Sequence, residues 1–488
     1  MSPRLPEETL VAQLAARSAA PIADATRERL AQALLDWFTA GWSGLEMPAA
    51  ERMRASALDL LTGPGDAPVF GAGTATPLAA ACANAAIAHL REIDDAHRAA
   101  MLHPGVVAIT PVLALAATMP VTQRRAIDAI VAGYEVSLRL GEALGTGHAA
   151  LFHATATAGA VGAAAATGVL LGLPPAQLHH ALGIAATQAA GLWQLVDDDA
   201  HESKSLHPAF AVRNGMMAAY AALAGLPGAR AFFSGRRGMY ALLAGDGPPG
   251  AVDGPLPAAD QLTTATIKAW PCCAQIFTPL DATRALMDQH GIVAADVARV
   301  GITIFAHALR IAGVQWPTRP AETAFCLRYV IAALLLNGRL GIAEMETPDL
   351  HDPALLALAA RIEVTTDADY QKLFPGRRPA RVELVLHDGR RLEAYRDLRR
   401  GDPEDPFDWP QLQQRMRAFA PGMDDAAAAR VTEWCRGFAD SAADDLPCVP
   451  GPALFAARAL GARGTAGLRR IAQRSYSNQV VYPEAGEA

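Results

Sequence analysis

The sequence predicts a mainly α-helical protein: a large all-helical domain formed by both ends of the chain, plus a smaller α+β lid domain. Three observations lead to this prediction. Alanine-rich segments with helical spacing fill residues 7 to about 245, a Gly/Pro-rich stretch at 245–260 interrupts them, and strand-like alternation then precedes a helical return near 409. The expected parts are a discontinuous helical domain (1–262 with 405–450), the lid (263–404) and a C-terminal extension (451–488).

Three long segments show the helical character of the first half. ATRERLAQALLDWFTAGWSG places apolar residues at helical spacing and ends at Gly44, and RAIDAIVAGYEVSLRLGEALG stops near Gly145. PAFAVRNGMMAAYAALAGLPG is closed by Gly225 and Pro227. Alanine is the strongest helix former, and many of these helices carry small residues on several faces. That composition favours close helix packing inside a large domain over amphipathic helices on a surface.

The lid is predicted from two strand patterns. RVGITIFAHAL (299–309) alternates apolar and β-branched residues, and ARVELVLHDGRRLEAYRD (380–397) predicts a hairpin about an Asp-Gly turn. Helical segments are expected between them, at about 275–290, 320–337 and 353–361. From about 409 the segments WPQLQQRMRAFA and AAAARVTEWCRGFADS are helical again, so we expect them to rejoin the first domain. The final RSYSNQVVYPEAGEA predicts a loosely held tail.

Composition argues against several classes of protein. The 488 residues include 42 Lys and Arg against 49 Asp and Glu, a net charge of −7, and nucleic-acid binding needs a basic face. The start of the chain lacks a signal-peptide pattern, and the apolar runs near 106–119 and 158–171 are too short or too rich in Ala and Gly to predict a membrane span. Six cysteines in so long a chain do not indicate a disulfide framework. We therefore expect a cytoplasmic protein with no nucleic-acid or membrane partner.

Motifs for common cofactors are absent from the sequence. There is no GxGxxG opening a helix after a strand, no GxxxxGK[ST] and no GxSxG, and HESK (201–204) lacks the second histidine of HExxH. We therefore expect no cofactor and no metal. The chemistry left to such a chain is proton transfer by its own side chains.

Four clusters of polar residues stand out against apolar surroundings. The stretch EIDDAHRAAMLHPGVV contains Glu92, Asp94, Asp95, His97 and His103. The other three clusters are His153 before the small-residue helix ATATAGAVGAAAATGVLLGL, Lys204 with His207 in KSLHP, and Lys268 in TIKAWPCC at the predicted domain junction. Helix starts attract carboxylates, and pockets often form at domain junctions. Together these features favour a site for a small anion.

Each cluster also has a structural explanation. The acidic residues and histidines of the first cluster are compatible with charges at helix ends or a turn, and the two lysines with a solvated surface. Cys272 and Cys273 are compatible with packed thiols. A metal site built from Asp94, Asp95, His97 and His103 is a further alternative, disfavoured because these residues lack a recurring ligand spacing.

Taken together and in order, the clusters resemble the MmgE/PrpD family, which includes 2-methylcitrate dehydratase, cis-aconitate decarboxylase and iminodisuccinate epimerase. The resemblance extends over residues 10–445 and rests on ANAAIAHLREIDDAHRAAMLHPGVV, FHATATAGAVGAAAATGVLLGL, SKSLHPAF, IKAWPCC and AETAFCLRYVIAALLLNGRLG. It implies a helical domain from both chain ends, an α+β lid, a homodimer, and an active site for a di- or tricarboxylate between the domains. Ala96 stands where many members have Thr, and Phe277 about where many have His.

The resemblance and the residue types together suggest roles. His103, His153 and Lys268 are the expected catalytic groups: the imidazoles form an acid/base pair on opposite sides of the substrate, and the ammonium group offsets charge on the carboxylate next to the reacting carbon. The residues expected to bind substrate are Lys204, Glu92, Asp94, His97 and His207. Lys204 would anchor a carboxylate, and Glu92 or Asp94 would orient a histidine.

The same groups suit three reactions: loss of β-hydroxide, loss of CO₂, and return of a proton to the opposite face of a carbon. We expect a cofactor-independent lyase, most similar to 2-methylcitrate dehydratase. An epimerase of an iminodisuccinate-like dicarboxylate and a cis-aconitate decarboxylase are the enzymatic alternatives. A helical scaffold that kept the fold and lost the chemistry is a further alternative.

Overall fold

The structure, a computed structural model, describes residues 4–58, 61, 63–198, 200–255 and 260–456. Over these residues the chain is mainly helical, with a small mixed sheet in its C-terminal part, which confirms the predicted fold class at that level. Of the predicted C-terminal extension, residues 457–488 lie outside the described residues.

The first part of the chain forms the helical body. Its helices are α1 (Pro6–Ser18), α2 (Asp24–Leu45), α3 (Ala49–Leu58), α4 (Pro77–His89), α5 (Pro104–Ala116), α6 (Gln123–Leu151), α7 (Ala154–Leu171), α8 (Pro175–Ala186), α9 (Gln194–Asp197), α10 (Leu206–Leu223) and α11 (Met239–Leu242). A short antiparallel ribbon of β1 (Ala67–Val69) and β2 (Gly73–Ala75) lies between α3 and α4. The expectation of an all-helical body missed this ribbon, because strands of three residues are too short to show an alternating pattern.

Helix α7 lies at the centre of the body and packs against α5, α6, α8 and α10. Its sequence has few large side chains, so its neighbours approach closely. A Cβ atom on Gly215 of α10 would lie 2.6 Å from the Cβ of Ala163, and one on Gly162 would lie 2.7 Å from the Cβ of Ser137. Although α7 has the length and composition of a membrane-crossing helix, 89% of it is buried inside the protein. That burial is typical of a core helix.

The lid contains a four-stranded sheet in the order β4–β3–β5–β6. The strands are β3 (Val297–Ile304), β4 (Ile362–Thr366), β5 (Ala380–Leu386) and β6 (Arg391–Arg396). β3 pairs in parallel with β4 and antiparallel with β5, and β5 and β6 form the predicted hairpin. Gly389 of its turn has a φ of +90°, which favours glycine. The predicted strand at 299–309 ends early, because the chain enters a helix at Ala306.

The lid also contains helices. They are α12 (Phe277–His290), α13 (Ala306–Ile311), α14 (Leu327–Asn337), α15 (Ile342–Glu346), α16 (Pro353–Ala359) and α17 (Ala368–Leu373). The three helical segments predicted for the lid correspond to α12, α14 and α16. Alternate residues of β5, from Ala380 to Leu386, are buried, and α12 packs against β5 and β6, so the lid has its own apolar core.

The chain then returns to the helical body through α18 (Trp409–Phe419) and α19 (Asp425–Gly437). Both helices pack against α2. Beyond them, Phe455 joins an aromatic cluster with Trp37, Phe38 and Phe70. Both ends of the described chain therefore belong to one body. The exact residue limits of the two domains stay predictions.

Candidate active site

The candidate site forms where the ends of three helices meet. His89 is the last residue of α4, His103 immediately precedes α5, and His153 immediately precedes α7. Pro104 occupies the first position of α5, where a missing N–H breaks no helical hydrogen bond, and so defines where that helix begins. The helix ends thus bring together imidazoles that are far apart in the sequence.

The three imidazoles form a compact cluster. Ring centroids are 4.6 Å apart for His89 and His103, 5.5 Å for His89 and His153, and 6.2 Å for His103 and His153. Burial lowers the pKa of His103 to about 4 and holds the pKa of His153 well below its ordinary value. Both imidazoles are therefore neutral near pH 7 and able to accept a proton.

Asp94 is in contact with two of these rings. Its Oδ2 accepts a hydrogen bond from His89 Nδ1 (2.9 Å) and lies 3.4 Å from His103 Nδ1. Burial acts to raise the pKa of Asp94, but His103 and His89 outweigh it and hold the pKa well below its usual value. An ionised carboxylate here favours the tautomers in which Nδ1 carries the hydrogen. The Nε2 atoms of His89 and His103 are then the basic atoms.

Two ammonium groups lie against the same turn. Lys204 Nζ is 2.5 Å from Glu92 Oε2, and Lys268 Nζ donates a hydrogen bond to the backbone oxygen of Glu92. Burial acts to raise the pKa of Glu92, but Lys204, His89 and Lys268 together outweigh it and the pKa falls to about 2. Burial also lowers the pKa of Lys268. Glu92 has a φ of 52°, a left-handed conformation that is uncommon outside glycine. In this conformation its carboxylate contacts Lys204 and its backbone oxygen accepts from Lys268.

His207 and Trp193 line the His153 side of the site. His153 Nδ1 and His207 Nδ1 share a hydrogen bond of 3.1 Å, and the His153 backbone N–H donates to the carbonyl of Gly191 (2.8 Å). The Trp193 ring lies 4.8 Å from the His153 ring and 5.8 Å from Lys204 Nζ. The second and third polar clusters of the sequence therefore meet in the folded chain.

His97 is held apart from this cluster. Its Nδ1 accepts a hydrogen bond from the backbone N–H of Ala100 (3.0 Å), and its Nε2 lies 3.1 Å from Thr264 Oγ1. Burial lowers the pKa of His97 to about 3. Both ring nitrogens are thus engaged within the protein. The expected contact of His97 with substrate stays a prediction, which these internal bonds do not favour.

Asp95 points away from the histidines and holds the start of α5. Its carboxylate accepts hydrogen bonds from the Gly105 backbone N–H (2.8 Å) and from Tyr134 Oη (2.6 Å). A Cβ on Gly105 would lie 2.7 Å from that carboxylate, so glycine is required for this approach. Burial raises the pKa of Asp95 to about 7. The pKa values of the neighbouring Asp94 and Asp95 are therefore shifted in opposite directions. Asp94 contacts the histidines, whereas Asp95 holds the start of α5.

Arg415 connects the turn to the segment that carries Lys268. Its guanidinium donates hydrogen bonds to the backbone oxygens of Lys268 and Ile93, each at 2.6 Å, and pairs with Asp36 at 2.8 Å. Arg415 lies on α18 and Asp36 on α2. Elements from both ends of the chain therefore position the site.

The histidines also form a group among the described residues that has the composition of a metal site. One nitrogen from each of His89, His103 and His153 lies within 4.8 Å of the others. Zinc–nitrogen bonds of about 2.0–2.1 Å place tetrahedral ligands about 3.4 Å apart, a spacing that this limit includes. The ammonium groups of Lys204 and Lys268 would repel a cation. The set weighed from the sequence does not converge, because Asp95 and His97 point elsewhere. The three histidines have the composition of a metal site, the two lysines oppose a cation, and the expected absence of a metal stays a prediction.

Fold and site define a class of protein: a helical body with an α+β lid, in which neutral imidazoles, a carboxylate and two ammonium groups meet in a buried position. The family is shown by comparison with known proteins. The MmgE/PrpD N-terminal domain matches residues 8–251, and the MmgE/PrpD C-terminal domain matches residues 270–436. The chain belongs to the MmgE/PrpD family, as the sequence resemblance predicted.

Several named relatives are cis-aconitate decarboxylases. The protein of that name from Aspergillus terreus is 25% identical over 432 residues, covering 83% of this chain and 87% of that protein. The one from Homo sapiens is 26% identical over 365 residues, covering 71% and 73%. A 2-methylcitrate dehydratase from Cupriavidus necator is 35% identical, but over only 98 residues, 19% of this chain and 20% of that protein. The chain is therefore a member of a family of enzymes that act on small carboxylic acids.

Sequence reasoning missed His89, Trp193 and Arg415. His89 could have been found, because it is a polar residue at the end of an apolar helix, three residues before Glu92. Arg415 offered no such signal, because its partners lie in distant segments and two of them are backbone oxygens. Phe277, noted as a departure from the family, begins α12 and is fully buried.

Proposed function

We propose that this protein decarboxylates an unsaturated tricarboxylic acid of the cis-aconitate type. The observation that carries the proposal is the meeting of His103, His153, Lys204 and Lys268 about Asp94 and Glu92. The relatives named cis-aconitate decarboxylase support it, because they align over most of both chains. The sequence by itself predicts a dehydratase, because of how often that activity occurs in the family. These relatives instead favour a decarboxylase, which was one of the alternatives.

Substrate binding is proposed to proceed by exchange of ion pairs. Glu92 and Asp94 carry two negative charges, Lys204 and Lys268 two positive charges, and His103 and His153 are neutral. An incoming carboxylate competes with Glu92 for Lys204, whose present pair is 2.5 Å long. A second carboxylate replaces the backbone oxygen bound to Lys268. Charge-assisted hydrogen bonds of this kind are roughly twice as strong as neutral ones.

In the proposed reaction the bond between carbon and one carboxylate breaks, and CO₂ leaves. The electron pair of that bond forms a new carbon–carbon double bond, the pair of the original double bond shifts to its far carbon, and that carbon takes up a proton. His103 and His153 are the proposed acid/base pair on opposite sides of the substrate, and Lys268 offsets charge on the conjugated carboxylate.

His103 takes up the proton needed at carbon when the substrate binds. In the folded protein burial lowers the pKa of His103 to about 4, so its ring is neutral near pH 7. Bound carboxylates place negative charge beside the ring and raise its pKa, and Asp94 supports the imidazolium from the other side. Asp94 thus takes the orienting role that the sequence left open between Glu92 and Asp94.

NMR in D₂O tests the proposal directly. Purified protein is incubated with cis-aconitate, and we expect CO₂ release together with one deuterium at carbon in the product. Activity should survive a strong chelator, because every proposed role belongs to a side chain. Absence of CO₂ while another acid is converted would overturn the decarboxylase assignment, and loss of activity with the chelator would reinstate a metal.

Dehydration is the second candidate function, favoured by the similarity to 2-methylcitrate dehydratase over 98 residues. The same groups would remove a proton from carbon and help β-hydroxide to leave. With methylcitrate or citrate, new olefin signals without CO₂ would establish it. With iminodisuccinate, deuterium at carbon and an unchanged skeleton would indicate an epimerase. No change with any of the four acids would favour the remaining alternative, a helical scaffold that lost the chemistry.

A further inference from the structure

A cavity of about 510 Å³ lies beside the segment that carries Lys268. Ala269 and Trp270, the two residues after Lys268, form part of its wall, and α12, β6 and α18 contribute most of the rest. The histidines and lysines of the candidate active site are not among its described lining residues. A volume of this size is usual for a small-molecule site, which typically measures about 300–1,000 Å³.

The wall of this cavity carries more positive than negative charge. Its arginines are Arg284, Arg339, Arg396, Arg400 and Arg415, and its acidic residues are Asp281, Asp288 and Asp405. The formal charge of the wall is therefore 5 − 3 = +2. Guanidinium groups bind oxyanions through paired N–H donors, so such a wall attracts carboxylates and phosphates.

Arg396 is the arginine best placed to accept a new partner. Arg400 donates hydrogen bonds to Asp405 and to Gln411 Oε1 (2.5 Å), whereas Arg396 approaches the same Asp405 only to 4.0 Å. Asp281 offers it little, because its oxygens accept from Trp270 Nε1 (2.8 Å) and from the Arg400 backbone N–H (2.9 Å). Two guanidinium groups thus share one carboxylate. The Arg396 side chain is 45% exposed, so an anion can reach it.

Aromatic side chains supply an apolar surface next to these charges. The Arg400 guanidinium lies 4.9 Å from the centre of the Phe407 ring, and the half-buried Trp270 donates a hydrogen bond to Asp281 of α12 (2.8 Å). Stacking on Phe407, together with the bonds to Asp405 and Gln411, keeps the Arg400 guanidinium plane oriented in the wall of the cavity. The combination suits a small organic polyanion.

Arg415 connects the cavity with the candidate active site. It lines the cavity, and it also donates hydrogen bonds to the backbone oxygens of Lys268 and Ile93 at 2.6 Å each. A charge bound in the cavity therefore acts on the residue that holds two site segments in place.

We propose that this cavity is a separate binding site for a small polyanion, a molecule with two or more phosphate or carboxylate groups, held chiefly by Arg396 and Arg400. Its occupancy would influence the position of Lys268 through Arg415. The binding claim does not depend on the proposed reaction, since it concerns residues outside the candidate active site.

Calorimetric titration of the full chain with pyrophosphate and, separately, with citrate tests the proposal. Two variants address the cavity: Arg396→Gln removes a charge, and Ala285→Glu adds a carboxylate to the wall without removing a polar contact. Arg381→Gln is the matched control. Arg381 lies on the neighbouring strand, is 48% exposed and has a 4.0 Å ion pair, much as Arg396 does.

Binding of either probe that both cavity variants weaken at least about tenfold, with Arg381→Gln unchanged, supports the site; a tenfold change corresponds to the loss of one good charged contact. Preference for pyrophosphate or for citrate would identify the natural ligand as a phosphate or a carboxylate. A Kd weaker than about 1 mM for both probes, or equal weakening in all three variants, overturns the proposal. The His103→Asn variant should still bind, which separates this result from a failure of the proposed reaction.

Discussion

Opposing effects act on the pKa of the His103 imidazole. Burial lowers its pKa to about 4, while the Asp94 carboxylate, 3.4 Å away, stabilises the protonated ring. Lys268 acts in the same direction as burial. The result is a neutral base that becomes an acid once negative charge arrives, which is the behaviour needed for proton delivery with a substrate.

His103→Asn should therefore lower kcat by about 10²–10⁴, the usual contribution of a general acid or base, with little change in KM. Asparagine keeps a polar side chain of similar size but cannot transfer the proton. Steady-state assays with cis-aconitate measure the effect. The exposed His387, changed to Asn, is the control and should keep full activity. Near-normal kcat in His103→Asn would disprove the assigned role.

Asp95 should make stability depend on pH. Burial raises its pKa to about 7 in the folded protein, against an ordinary value of 3.8. Because the folded state favours the protonated carboxyl, the free energy of unfolding falls as pH rises from about 4 to about 7, by at most about 4 kcal/mol. In Asp95→Asn this part of the decrease should be absent.

Thermal unfolding of both proteins between pH 5 and pH 8 measures that difference. Asp36, whose pKa burial raises to about 6, contributes a decrease in the same direction in both proteins, so only the difference between them reports on Asp95. The exposed Asp388→Asn should follow the unmodified protein. Parallel curves for Asp95→Asn and the unmodified protein would contradict the assignment.

At the scale of elements, small residues allow α10 to pack directly on α7. Gly215 faces the α7 backbone, and an added Cβ would come within 2.6 Å of both the Cβ of Ala163 and the backbone nitrogen of Ala164. This close packing places the start of α10, with His207, against His153 at the start of α7. The positions of two site residues therefore follow from a helix contact.

Gly215→Ala should destabilise the protein by about 1–3 kcal/mol, because backbone atoms of α7 must move to admit the methyl group. Gly437→Ala is the matched control: Gly437 ends α19, and a Cβ there meets nothing within 4 Å. The control should be neutral or more stable by up to about 1 kcal/mol, since alanine is the better helix former. Urea denaturation measures both, and equal stability of the two variants would refute the packing argument.

At the scale of the whole molecule, α10 leaves an apolar face uncovered. Phe210, Met217, Tyr220 and Leu223 lie on it at helical spacing, and each is at least 45% exposed. Contiguous exposed apolar residues often mark an interface between proteins. The homodimer expected from the family resemblance stays a prediction, and this face is where we expect the second copy.

Light scattering on the purified protein should give the mass of two chains, and Met217→Glu should shift it toward one chain, because a charge buried at an apolar interface costs several kcal/mol. Leu356, an exposed leucine of α16, provides the control when changed to Glu and should leave the mass unchanged. A single-chain mass for the unmodified protein at every concentration would refute the dimer.

Local patterns were sufficient for much of the fold. Helical spacing in the body, the Asp-Gly hairpin and the helical return after 405 each depend on residues close together in the sequence, so periodicity and turn chemistry predicted them. The very short strands β1 and β2 were not predicted, because three residues are too few to show an alternating pattern. The order of the polar clusters along the sequence likewise indicated the family.

Packing between distant parts of the chain decided which residues of those clusters come together. Nothing local distinguishes Asp94 from Asp95, yet Asp94 contacts His89 and His103 while Asp95 binds Tyr134 and Gly105. His89 and Arg415 entered the site only through distant partners. Helix ends converge because small residues let α7 and α10 approach, and burial among the converged groups then sets each pKa. Such long-range effects arise from the folded arrangement and have no signature in neighbouring residues.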